Sequence, residues 1–137
     1  MAISRHLFIL ALFASTASAA AQDNLVALGG TVFSSCADCH IVGKVDPAIN
    51  ATKAGPHLND LFGRKPGDLP EALYSLAMVR LGKEHIWDEA TLTAFIRDPK
   101  KVVDGSNMKF EGLKKDEEIK ALLAYLATFD KDGMASK

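Results

Sequence analysis

The 137-residue chain carries 16 Lys+Arg against 17 Asp+Glu, a formal net charge of −1. No basic excess is available to recruit nucleic acid or an anionic membrane surface. Hydrophobic residues make up 48% of the chain, which suits one domain with a modest core that a large apolar cofactor would enlarge.

Met1 to Ala21 reads MAISRHLFILALFASTASAAA: one arginine near the start, an apolar run from Leu7, then small residues. Ala17 and Ala19, or Ala19 and Ala21, supply the small-x-small pattern of a signal-peptidase site. The apolar part falls far short of the ~20 residues that span a bilayer. The expectation is a signal peptide over 1–21 and an exported domain over 22–137, soluble and without stable membrane insertion. Removing Arg5 with the leader leaves 15 Lys+Arg against 17 Asp+Glu, a net charge near −2.

Beyond the leader the pattern is helical almost throughout. Leu25, Leu28, Val32 and Phe33 share one face of a helix that ends near the cysteines. A loop containing Gly, Pro and Asn runs from Val42 to Pro56, and a turn-rich stretch surrounds GRKPGDLP. Pro70 suits a first helical position, with Leu73, Leu76, Ala77 and Leu81 as an apolar stripe up to Gly82. Asp88 is placed to cap a helix carrying Leu92, Phe95 and Ile96 that stops before Pro99. Residues 99–114 read as a long irregular loop. Asp116, Glu117 and Glu118 suit the positive end of a last helix whose core stripe is Ile119, Leu122, Leu123 and Leu126. No segment alternates with period 2 over strand length, so the expected fold class is all-α with long loops.

Both cysteines lie in the stretch Ser34 to Lys44, SSCADCHIVGK, with a histidine directly after the second. A thioredoxin-type pair needs a strand before it, and here a helix precedes it. A structural zinc needs four ligands; the chain has no further cysteine, and His40, His57 and His85 form no H-x3–5-H pair. A disulfide between cysteines this close would brace almost nothing. C-x-x-C-H fits covalent haem attachment: each thiol adds to one vinyl group, and the adjacent imidazole comes under the ring as an axial ligand. Cys36 and Cys39 are the expected anchors of one haem (heme) c and His40 its first axial ligand. Export agrees, because bacterial attachment of this kind takes place outside the cytoplasm.

The sixth position decides what the iron does. Its candidates are His57, His85, Met78 and Met108, or no protein ligand at all. Met78 lies in a helical apolar segment, where methionine commonly fills core. Met108 lies in the mostly polar loop DGSNMKF, where a methionine has no packing reason, and it is the preferred candidate. Thioether ligation raises the reduction potential.

Several further stretches resemble, in order and spacing, the class I monohaem cytochromes c of bacteria and mitochondria: GGTVFSSCADCH, GPHLNDLFGRKPG, IWDEATLTAFIRDPKK, DGSNMKFEGL and IKALLAYLATF. The resemblance covers essentially all of the chain after the leader. It implies the cytochrome c fold, four to five helices with long loops wrapped around one haem. It implies that the Pro56 carbonyl accepts from His40 Nδ1–H, that Leu58 packs on the haem, and that Arg64 neutralises a propionate to which Tyr74 and Trp87 donate. Ser106 keeps a hydroxyl that reaches a propionate, and Gly29 and Phe33 meet Leu122 and Tyr125 where the terminal helices cross. The expected activity is single-electron carriage in the periplasm between membrane or periplasmic redox enzymes, by a monomer and not an enzyme. Lys44, Lys100, Lys101, Lys109, Lys114 and Lys115 form the expected docking face. Where many relatives have a tyrosine this chain has Phe95; Asp104 replaces a common proline and Asn107 a common lysine; the loop Ile41–Ala54 is a few residues longer than in mitochondrial forms. These departures predict a weaker Met108–iron bond. They leave two alternatives, a haem sensor or peroxidase-like protein with a labile Met108, and a dedicated electron-entry subunit of a dehydrogenase complex.

Overall fold

A computed structural model describes the backbone of residues 12–135 and the side chains of residues 18–135; the first part of the expected leader, residues 1–11, lies outside them. Helix α1, Leu12–Phe33, starts well upstream of the expected apolar face. Cleavage after Ala21 would leave its last three turns, which hold Gly29, Gly30 and Phe33.

Those turns pack on α6, Asp116–Leu126, in the most extensive contact between any two helices described. The sequence places a glycine at the crossing for a steric reason. A Cβ on Gly29 would lie 2.0 Å from the Ala121 carbonyl oxygen and 2.6 Å from Tyr125 Cβ. Only an α-hydrogen lets the two backbones come this close. Phe33 and Tyr125 then meet with ring centroids 5.6 Å apart, and Tyr125 stands edge-on to Phe129 at 5.1 Å. Ile119, Leu122 and Leu126 of α6 are each about 2% exposed or less and form the centre of the core.

The helix expected from Pro70 requires correction. α3 spans Leu76–Glu84, because the Ser75 hydroxyl accepts from the Met78 backbone N–H at 3.2 Å and caps the helix there. Residues 70–75 are turn and extended backbone. Leu73 and Leu76 are therefore 91% and 75% exposed rather than part of a core stripe. Met78 and Gly82 supply the buried face; the Pro66 carbonyl oxygen occupies the space a Gly82 side chain would need.

Asp88 caps α4, Glu89–Arg97, its carboxylate accepting from the Thr91 N–H at 2.7 Å. Asp98 ends α4 and caps a single turn, α5, Pro99–Val102, so the stretch expected to be irregular opens with one helical turn. A second single turn, α2, Pro47–Asn50, sits inside the long loop after the cysteines under the Asp46 carboxylate. Among the described residues the regular elements are four helices of nine residues or more and two single turns, with one isolated bridge between Phe129 and Ala135 and no strand. Among the described residues no helix is long and apolar enough to cross a membrane.

Candidate haem-attachment site

α1 does not stop cleanly at Phe33. The N–H groups of Cys36 and Ala37 donate to the Phe33 carbonyl at 2.8 and 3.1 Å, and those of Cys39 and His40 donate to the Cys36 carbonyl at 3.1 and 2.9 Å. The attachment stretch is thus a helical turn. Residues three and four apart on such a turn share a face, so Cys36, Cys39 and His40 project to one side. Both thiols are free, Cys36 half-buried and Cys39 exposed. Burial pushes the Cys36 thiol up, while a contact with the Ser35 hydroxyl pulls it the other way.

Residues 53–59 run alongside the turn and hold it. The Gly55 N–H donates to the Cys39 carbonyl at 2.9 Å and the Leu58 N–H to the Ile41 carbonyl at 2.9 Å. Asn59, 2% exposed, accepts from the Gly43 N–H at 2.9 Å and donates to the Gly43 carbonyl at 2.8 Å. His40 Nδ1 lies 2.8 Å from the Pro56 carbonyl oxygen. A carbonyl only accepts, so Nδ1 carries the hydrogen and the lone pair is on Nε2. Burial lowers the His40 pKa; the bond to Pro56 opposes this, and the charges of Arg64 and Lys53 lower it further. A neutral, oriented imidazole with one free nitrogen is what a metal requires.

The loop carrying Met108 is tied down at both ends. The Leu113 N–H donates to the Ile96 carbonyl at 2.9 Å, and a Cβ on Gly112 would strike the Arg97 carbonyl oxygen. Asn107 Nδ2 reaches the Leu73 carbonyl at 3.4 Å. Between these anchors the Met108 N–H donates to the Ser106 hydroxyl at 3.2 Å, and the half-buried Met108 packs against the core together with Cys36, Leu58 and Tyr74.

Arg64 is drawn inward: its guanidinium donates to the Asn59 and His57 carbonyls at 3.0 and 3.2 Å. Its backbone pairs with that of Trp87, which is buried beside Phe95 with ring centroids 5.1 Å apart. Burial raises the Tyr74 phenol, and the positive charge of Arg64 opposes it. His57 Nε2 lies 3.5 Å from Glu71, and His85 is exposed.

Three of the six lysines of the expected docking face, Lys100, Lys114 and Lys115, are engaged locally. Lys100 pairs with Glu111 at 2.7 Å and Lys115 with Glu118 at 2.8 Å. Lys114 donates to the Arg97 and Glu111 carbonyls.

The residues fit a covalently held haem. Two free thiols and an oriented imidazole share a face, and Cys36 packs against the same apolar core as Leu58, Tyr74 and Met108. Gly55 adds an independent sign: its Cβ would lie 2.4 Å from His40 Cε1, so the backbone is cut away where the ring stands. Among the described residues no group of three or more His, Cys, Asp or Glu side chains is placed to hold a metal ion by itself. Sequence reading assigned no role to Asn59, Gly55 or Lys53. The first two lie within GPHLNDLFGRKPG, but which small or polar residue abuts the ring depends on how the chain returns to it.

Residues 26–130 match the family model described as cytochrome c. The chain is 44% identical over 112 residues to cytochrome c2 of Afifella marina, covering 81% of this chain and 87% of that one. It is 44% identical over 107 residues to cytochrome c-550 of Bradyrhizobium diazoefficiens, covering 78% and 74%. Among solved structures, cytochrome cH from Methylobacterium extorquens superposes with a TM-score of 0.65 at 32% identity, covering 75% of this chain and 97% of that one.

Proposed function

Because the chain belongs to the cytochrome c family, we propose that it is a periplasmic carrier whose haem iron is held between His40 and Met108. The chain is an electron carrier, not an enzyme, and holds haem c covalently through Cys36 and Cys39. Bound haem c supplies the one-electron chemistry.

The protein's own residues do the rest. Cys36 and Cys39 anchor the group at two points of one turn. Pro56 holds His40 as the Nδ1–H tautomer and directs Nε2 to the iron. Met108, carried by a loop pinned at Gly112, Leu113 and Asn107, would supply the second protein ligand. A fixed ligand pair would change little between oxidation states, and the half-buried Leu58 and Met108, packed against the core, would limit the access of water. Arg64, half-buried and positive, is the candidate to balance a propionate, with Tyr74 and Trp87 near it and Ser106 in the methionine loop. Phe95 brings no hydroxyl to that loop, so the Met108–iron bond is weaker than in relatives with a tyrosine there.

The observation that carries the ligand assignment is the disposition of the four candidates. His57 faces Glu71, His85 is exposed, and Met78 is buried in α3. Met108 combines a loop position with packing against the apolar core. The test is a carbon monoxide difference spectrum of the reduced, haem-loaded protein beside its Met108→Ala variant. A silent wild type and a responsive variant support closure by Met108; a responsive wild type overturns it and favours the ligand-binding alternative.

Export is supported by the leader pattern of Met1 to Ala21 and by the attachment chemistry. The mass of the mature chain tests it: cleavage near Ala19 or Ala21 is expected, and a full-length mature chain refutes it. With Lys100 and Lys115 paired to carboxylates and Lys44, Lys101 and Lys109 exposed, partner encounters should be weak and steered by charge, slowing as salt rises.

A further inference from the structure

The helical turn that carries the thiols ends at His40, and a helix end leaves carbonyls without partners inside the helix. Two of them are the Ala37 and Cys39 carbonyls. Cys36 uses its own turn, accepting from Cys39 and His40, and Cys39 accepts from the Gly55 N–H. The Ala37 carbonyl, between the two thiols, accepts from Lys53 Nζ at 2.5 Å, across sixteen residues of sequence. Lys53 is half-buried, while Lys44, Lys65 and Lys83 nearby in the chain are exposed. Its own N–H donates to the Asn50 carbonyl at 3.1 Å, so the backbone that carries it is anchored to α2. Two residues later Gly55 abuts the His40 ring. Residues 53–55 therefore lie across the C-terminal end of the attachment turn, capping one carbonyl with a side chain and another with the backbone. A cation at a helix C-terminus is favoured by the dipole as well as by the hydrogen bond.

We propose that Lys53 is a positioning residue for the haem: it caps the attachment turn between the two thiols and sets a positive charge on the His40 side that favours the reduced state. The inference rests on the haem-attachment reading. Two effects follow from one group. The hydrogen bond holds the spacing of Cys36, Cys39 and His40 against fraying of the turn's last carbonyls. The charge disfavours the ferric state, which carries one more positive charge than the ferrous state.

The test uses the full chain matured with haem, as wild type, Lys53→Arg, Lys53→Gln and Lys53→Met. Reduction potentials come from spectroelectrochemistry at low and high salt, and the His40 ring protons are followed by NMR in the reduced state. Lys53→Arg should keep the wild-type potential and ring signals. Lys53→Gln and Lys53→Met should shift the ferric-to-ferrous ratio at fixed ambient potential by about threefold toward ferric, the size expected of a partly screened charge. That shift should shrink at high salt, and Lys53→Met alone should also move the ring signals strongly. If all variants load haem and share the wild-type potential and ring signals, the proposal is overturned, even if some are less stable. Should Lys53→Met fail to fold, Lys53→Gln against Lys53→Arg still decides the charge effect. If the wild type itself loads no haem, the attachment reading fails, and that failure is visible before any potential is measured.

Discussion

Replacing Gly55 by alanine adds one methyl group at the most confined point of the site. Its Cβ would lie 2.4 Å from His40 Cε1, 2.8 Å from Nδ1 and 2.9 Å from Nε2. Carbon atoms rest about 3.5–4 Å apart, so something must give by roughly 1 Å. The ring is held by the 2.8 Å contact from Nδ1 to the Pro56 carbonyl, and the backbone by the 2.9 Å bond from the Gly55 N–H to Cys39. Overpacking costs about 1–3 kcal/mol and a lost hydrogen bond about 1 kcal/mol, giving about 2–4 kcal/mol in all. Gly55 does not have a positive φ, so alanine brings no backbone penalty of its own. Gly63→Ala is the matched control, because Gly63 has φ +84° and open space around its Cβ position. It should cost about 1–2 kcal/mol of left-handed strain and leave the site untouched. Guanidinium unfolding of the two haem-loaded variants gives the energies, and the His40 ring signals give the displacement. Wild-type stability and unshifted ring signals in Gly55→Ala would refute the claim that this residue confines the imidazole.

Three other perturbations have defined outcomes. Gly29→Ala drives a methyl group into the Ala121 carbonyl, 2.0 Å away, and should lower stability by about 3 kcal/mol, read as a drop in denaturation midpoint at unchanged slope. Asn59→Ala removes both bonds to Gly43 and strands buried backbone groups there; a loss of about 2–3 kcal/mol is expected, checked by the same unfolding curves, with faster amide exchange at Gly43. Burial holds the His57 pKa below its ordinary 6.5, Arg64 adding to this and Glu71 opposing it. The folded state therefore disfavours the proton, so this contribution is fully present above about 6.5 and is lost as pH falls below it toward the lowered value. Thermal midpoints at pH 7.5 and 5.5 should fall less for His57→Asn than for wild type; equal falls would show that His57 does not contribute.

The division between sequence and structure follows the range of the interactions. The terminal helices and the cap at Asp88 depend on neighbours within a few residues, so periodicity and capping chemistry made them legible, whereas the helix expected to end near the cysteines continues as a turn through them to His40. The helix expected from Pro70 shows the limit: Leu73 and Leu76 have helical spacing, but Ser75 between them takes the cap, and both leucines face solvent. The short turns α2 and α5 went unread for the opposite reason, being too brief for periodicity to register.

What the sequence determined by itself was the chemistry: two thiols and an imidazole at a spacing that one helical turn brings to one face, and a methionine in a polar loop. Tertiary structure decided how that chemistry is held. Gly55 against the ring, Asn59 on Gly43 and Lys53 on the Ala37 carbonyl join positions up to sixteen residues apart. Asn107 reaches Leu73 across thirty-four. Such pairings depend on where the chain returns in space, which no local pattern encodes.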